Sequence, residues 1–285
     1  MNGRTDLALE AAEYAAAAGA LDGVEQTVCH DADATFTRTR VCTAAAAERL
    51  GKAPGRYVTA QVPPLGDNEE RLERHARRIA EELAALLPPD GEVLVVGLGN
   101  AAITPDALGP WTADMVLATR HIRGEWARSV GLDDLRPVAV VQPGVLGQTG
   151  VESGELIAGV CRTLSPVAVI AVDALAARSL SRVGCTVQLC DTGIAPGSGV
   201  GNHRRALTRE LLGVPVIGVG VPTVVDAATI ARELGGAEAA AGAQMMVTPR
   251  EVDLMVRRAA RLVAMTINAA LQPAYSPLEL IAVAV

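Results

Sequence analysis

Five apolar runs spaced through the last two thirds of the chain constrain its fold more than any other feature. They read EVLVVG, PVAVVQPG, PVAVIAVD, CTVQLCD and PVIGVGVP, and all lie beyond residue 91. Their Val and Ile residues do not alternate with polar ones, and strands of that kind are buried on both faces. Between and after them stand candidate helices near residues 105–119, 152–163, 174–182, 203–212 and 223–234. Strand, loop and helix in repetition predict an α/β fold, a three-layer sandwich with a largely parallel central sheet. Composition agrees. Half of the residues are apolar, yet the aromatics are two Trp, three Tyr and one Phe, so the core is built from Ala, Val, Leu and Ile.

The first 90 residues have a different rhythm. TFTRTRVCT (35–43) alternates with period two, as a half-buried strand does. AAAAERLG reads as a helix closed by Gly51, and GRYVTAQVP as a strand stopped by Pro63 and Pro64. Residues 68–87 predict an amphipathic helix that starts at Asp67 or Asn68 and ends before Pro88-Pro89. Its Arg71, Arg74, Arg77 and Arg78 interleave with glutamates, the pattern of a solvated face laced with ion pairs, and His75 reads as solvated with them. At the other end, TPREVDLMVRRAARLVAMTINAAL predicts a long helix with Thr248 as N-cap, Pro249 in the first turn and Glu251 at the third position. No linker and no repeat separates these parts. A single domain over 1–285 is expected, with 1–90 as an elaboration and 91–285 as the α/β core.

Charge and cysteine usage narrow the function. A formal charge of −7 gives no footprint for nucleic acid or an anionic membrane. No apolar stretch approaches the roughly 20 residues that span a bilayer. Asp6, Glu10 and Glu13 interrupt the N-terminal stretch where a signal peptide needs an apolar core, so the expected location is the cytoplasm. Cys29, Cys42, Cys161, Cys185 and Cys190 show no C-x-x-C spacing and read as reduced thiols. Cys29 beside His30 would point to opposite faces of a strand, a poor metal pair. No metal and no cofactor are expected.

Ligands of open α/β sheets bind outside the carboxyl ends of the strands. There the sequence places VGLGN…TPDALGP, QPGVLGQTGVESGE, VDALAAR and CDTGIAPGSGVGN, with aspartates at 106, 173 and 191. Gly97, Gly99 and Ala102 formally match the dinucleotide pattern G-x-G-x-x-A. However, Thr104-Pro105 starts the following helix several residues late, and no acidic residue closes a strand about 20 positions on. APGSGVGN lacks the Lys-Ser/Thr of a P-loop. The other reading is a carboxylate pair. Asp106 would sit in the first turn of its helix, and Asp173 at a strand end before a helix starting near Ala174. On neighbouring strands their ends would lie about 5 Å apart. Two carboxyls that close share a proton, and such a pair can take a proton from water while giving one to a peptide carbonyl. The bland alternative makes Asp106 a helix cap and Asp173 a strand-end hydrogen bonder, and the residues alone leave both open. His30, His75, His121 and His203 sit in neither G-x-S-x-G nor H-E-x-x-H. His203 reads as structural.

With these residues in view, the chain resembles the germination proteases of spore-forming bacteria. The resemblance is carried by RTDLALEA (4–11), GKAPGRYVTAQVP (51–63), VVGLGN…TPDALGP (95–110), PGVLGQTGVESGELIAGV (143–160), VIAVDALAARSLSR (169–182), DTGIAPGSGVGNHR (191–204), GVPVIGVGVPTVVDA (213–227) and VTPREVD (247–253). It implies an endopeptidase that degrades small acid-soluble spore proteins beside an acidic residue, by an atypical aspartic mechanism with Asp106 and Asp173 as the catalytic pair. Asn100 and Gly99 of the GLGN loop, and Asp191, Gly199 and Asn202 of the 191–202 loop, would support the site and hold the substrate carbonyl. A fold similar to the hydrogenase maturation proteases, a homotetramer and action in the forespore and germinating spore are further implications. Such proteases are made as inactive precursors with a short N-terminal propeptide. Arg4 lies three residues from the first residue, so almost none of that segment is expected here. Alternative readings are a maturation-type peptidase acting on a metal-loaded partner, and a non-catalytic peptide- or nucleotide-binding module.

Overall fold

The computed structural model describes residues 5–64, 69–122, 124–129, 132, 134–197, 205–233 and 245–284. Nine strands form one sheet: β1 (Val24–Asp31), β2 (Ala34–Val41), β3 (Gly55–Gln61), β4 (Val93–Gly97), β5 (Val138–Val141), β6 (Ala168–Ala177), β7 (Thr186–Cys190), β8 (Val216–Asp226) and β9 (Met246–Val247). The helices are α1 (Ala8–Ala17), α2 (Ala44–Leu50), α3 (Glu69–Ala84), α4 (Leu108–Ala113), α5 (Gly124–Ser129), α6 (Leu146–Thr149), α7 (Ser153–Leu164), α8 (Arg209–Leu212), α9 (Ala227–Glu233), α10 (Val252–Leu271) and α11 (Pro277–Ala284). The strand order is β1-β2-β3-β7-β8-β6-β4-β5, with β9 beside the end of β8.

The sheet is mixed rather than largely parallel. β8, β6, β4 and β5 are parallel neighbours, as their continuous apolar runs require. β7 pairs antiparallel with both β8 and β3, which joins the β1–β2–β3 meander to the parallel part. β7 differs because only a turn containing the 3-10 segment Leu180–Arg182 separates it from β6, too little chain for a helical crossover back to a parallel position. Its polar residues mark the same break. Thr186, Gln188 and Cys190 alternate with Val187 and Leu189, which pack in the larger core.

That core lies between the sheet and α3 and α10, where Ile79, Leu83, Val256 and Val263 meet Ile170, Val172 and Ile217. A second core covers the opposite face, with Ile157 and Cys161 of α7 and Leu212 of α8 against Leu94, Val96 and Val169. The α3 face carries the expected ion pairs, including Arg77–Glu73 at 2.7 Å and Arg78–Glu82 at 3.0 Å. His75 is not on it. It falls in the apolar stripe with Leu72, Ala76 and Ile79, is 5% exposed, and lies 3.4 Å from the Asp33 carboxylate. Burial pulls its pKa below the usual histidine range. Asp67 and Asn68 lie outside the described residues.

Three expected helix boundaries fail for one reason, that strand pairing continues past them. β6 does not stop at Asp173: it runs to Ala177, paired with β8, where a helix over 174–182 was expected. Alanine's helix preference is worth at most about 0.7 kcal/mol per residue. Each ladder hydrogen bond contributes about 1 kcal/mol, and burying Leu175 about 2 kcal/mol more. The same holds at 223–226, which extends β8, so only α9 remains of the helix expected over 223–234. β9 keeps the chain extended through Val247 against Val225, and α10 begins at Val252 with Glu251 in the cap position and no side-chain cap bond. Thr248 therefore does not cap it. The helix near 105–119 is shorter too: a 3-10 turn, Thr104–Asp106, precedes the six residues of α4. Among the described residues no helix is long and apolar enough to cross a membrane.

Candidate active site

β4 and β6 are adjacent parallel strands, and their register places Gly97 level with Val172. Asp173 is therefore the first residue of β6 beyond the β4 ladder. It stays paired on its other side, opposite Gly220 of β8. The β4 chain continues alongside for one more step, since Leu98 N–H donates to the Val172 carbonyl at 2.8 Å. It then turns back. Gly99 has φ +112°, and a Cβ there would lie 2.0 Å from the Asp106 carbonyl oxygen, so no other residue fits. This close approach sets Asp106 over the strand end, where the Asn100 N–H donates to its carboxylate at 2.8 Å. The GLGN stretch is thus a seat for a carboxylate rather than a phosphate cradle. The Asn100 side chain faces away from that bond and accepts from Ala102 N–H and Gln148 Nε2, both at 3.0 Å.

Asp173 is 3% exposed. Its carboxylate accepts from the Ala174 N–H at 3.0 Å and from the Gly197 N–H, which brings the 191–197 loop to the site. Burial raises its pKa, the negative charge of Asp106 raises it further, and Asp6 adds to both, whereas the two N–H donors oppose them. The outcome is a pKa of about 8, so at neutral pH Asp173 is a protonated acid facing the Asp106 carboxylate.

Asp191 does not join them. It follows Cys190, which is level with Gly218 of β8 and so with Ala171 of β6, and the antiparallel β7 carries it away from the Asp173 end of the sheet. There it accepts from the Arg56 N–H and Nε, each at 2.7 Å. Gly199, Asn202 and His203 lie outside the described residues.

Three residues near the pair were assigned no role from the sequence. Asp6 donates its N–H to the Ala176 carbonyl at 3.0 Å and accepts the Ala176 N–H on its carboxylate at 2.8 Å, so it caps the free edge of β6 beyond Asp173. Lys52 Nζ donates to the carbonyls of Thr5 and Asp6 at 3.0 and 2.9 Å. Gln188 accepts the Ala8 N–H at 2.6 Å and donates to the Asp6 carbonyl at 3.0 Å. Together with Leu175, Gly218 and Gly220 they line a cavity of about 290 Å³ on the face of the sheet that carries Asp173. The available signals were a lone lysine in the chain and a glutamine inside a buried strand.

Comparison with known proteins decides the family. The sequence model described as germination protease matches residues 5–234. The chain belongs to the germination protease family. It is 39% identical to the germination protease of Caldanaerobacter subterraneus subsp. tengcongensis, over 97% of this chain and 96% of that protein. It is 38% identical to that of Clostridium acetobutylicum over 95% of each, and 44% identical to that of a Bacillus cereus strain over 80% of this chain and 64% of that protein. Germination proteases are peptidases, so this member is a hydrolase of peptide bonds acting in spore germination.

Proposed function

We propose that this chain is an endopeptidase that degrades small acid-soluble spore proteins during germination, with Asp106 and Asp173 as its catalytic pair. The observation that carries the reading is the buried, protonated Asp173 beside the Asp106 carboxylate at the ends of two adjacent strands. Asp106 takes a proton from a water that attacks the scissile carbonyl carbon, while Asp173 gives its proton to the carbonyl oxygen. A neutral tetrahedral diol forms. It collapses when the carbonyl C=O reforms, one hydroxyl proton returns to Asp173, the proton held on Asp106 passes to the leaving nitrogen, and the C–N bond breaks. The pair ends in its starting state. The N–H groups of Ala174 and Gly197 hold the Asp173 carboxyl in orientation, and the Asn100 N–H does so for Asp106.

The resemblance further favours a homotetramer and action in the cytoplasm of the forespore and germinating spore. An edge strand, β1, that leaves Val28 58% exposed is consistent with assembly. The test is cleavage of a purified small acid-soluble spore protein by wild type, Asp106→Asn and Asp173→Asn, each with and without EDTA. Discrete cutting by wild type that is insensitive to EDTA and falls at least ~10³-fold in both folded variants is expected. A variant that stays fully active removes that aspartate from the mechanism, and loss of cutting with EDTA replaces the dyad with metal chemistry.

A further inference from the structure

The turn that carries Asp106 belongs to no ladder, and bonds from the preceding loop, from α10 and from β8 are among those that hold it. Asn100 N–H holds the Asp106 carboxylate. The Thr104 hydroxyl donates to Asp253 of α10 at 2.7 Å. The Thr223 hydroxyl donates to the Pro105 carbonyl at 2.7 Å. The third bond has an unusual origin. β8 pairs with β6 without interruption as far as Leu175 opposite Pro222, and then Ala176 lies opposite Val224. Thr223 is thus an extra residue, a β-bulge three positions beyond Gly220, the partner of Asp173. A bulge bends its strand and re-aims a side chain. Pro222, without an N–H, suits the interrupted ladder. Thr223 is 1% exposed, so its hydroxyl serves the Pro105 carbonyl in a site closed to water.

We propose that Thr223 is a positioning residue whose hydroxyl fixes the Pro105 carbonyl and so sets the separation of Asp106 from Asp173. This rests on the reading of the two aspartates as the catalytic pair. Pro105 adjoins Asp106, so a displaced carbonyl displaces the carboxylate that follows it. Among the described residues, the charged groups acting on Asp173 are Asp106 from the turn and Asp6 from the N-terminal segment, opposed by the N–H groups of Ala174 and Gly197. The Asp106 contribution is the one that the Thr223 hydroxyl reaches, through the Pro105 carbonyl.

The test compares Thr223→Val, which keeps the shape and removes the donor, with Thr223→Ser, which keeps the donor. Each is assayed on a purified small acid-soluble spore protein, melted, and titrated by carboxyl ¹³C NMR of Asp173. Thr223→Val should lower kcat by roughly 10- to 100-fold with KM little changed. Its Asp173 midpoint should move to lower pH, because the Asp106 charge is no longer held close. Thr223→Ser should match wild type in both. A Thr223→Val protein with an unmoved Asp173 midpoint overturns the proposal, whatever its melting temperature, and so does a Thr223→Ser protein that shifts as far as Thr223→Val. Activity of Asp106→Asn or Asp173→Asn would instead sink the catalytic reading, and the NMR midpoints would still decide what Thr223 holds.

Discussion

Asp173 and Asp191 look alike in the sequence, since each closes an apolar run and opens a polar or small-residue stretch. Their surroundings differ in the one respect that matters for chemistry. Asp191 has an arginine: Arg56 supplies both an N–H and a guanidinium bond, and the pair is in contact with solvent. Among the described residues, the groups that act on Asp173 include no such cation. It meets burial and two other carboxylates, and only backbone N–H groups offset them. Burial beside a like charge makes a carboxylate an acid at neutral pH. Position at a strand end is common to both and decides nothing.

The largest effect that separates them is on turnover. Asp173→Asn should remove at least ~10³-fold of kcat, and Asp191→Asn less than about threefold, measured on the same spore-protein substrate. A loss at Asp191 comparable to that at Asp173 would erase the distinction. Next comes the response to pH. Activity that needs the Asp173 proton should fall as pH rises through about 8. Stability has the same sign: with the folded value near 8 and the ordinary aspartate value at 3.8, the contribution of this group is complete below about 4 and is lost as pH rises through about 8. Asp173→Asn should therefore melt higher than wild type, with the advantage growing between pH 5 and pH 9 to ~2 kcal/mol or more. An advantage that is flat with pH would mean that Asp173 titrates normally. The smallest effect belongs to the other aspartate. Because Arg56 is half exposed, a double-mutant cycle of Arg56→Ala with Asp191→Asn should give a coupling of at most about 1 kcal/mol, reduced by salt.

How much of this the sequence displays depends on where the determining contact lies. β4 and the first half of β8 are legible because each declares its own burial through Val and Ile with no polar residue between them, and the same kind of run marks β5 although that strand lies at the sheet edge and is only partly buried. The pairing of Asp106 with Asp173 is legible once β4 and β6 are neighbours. The end of β6 is not, because Ala174-Leu175-Ala176-Ala177 carries helix formers and the ladder that overrides them comes from β8, some 45 residues away. The bulge at Thr223 is hidden for the same reason, being a property of two strands in register rather than of either alone. His75 was readable: its spacing from Leu72 and Ile79 places it on the apolar stripe, and counting the charges around it obscured that.

The two aspartates also differ in what they are mounted on. Asp173 belongs to a ten-residue strand inside the sheet, whereas Asp106 ends a three-residue turn. A strand paired along its length opens less readily than a short turn, so the Asp173 amide is expected to exchange more slowly than that of Asp106. Any displacement of one carboxyl against the other is then expected to arise in the turn rather than in β6.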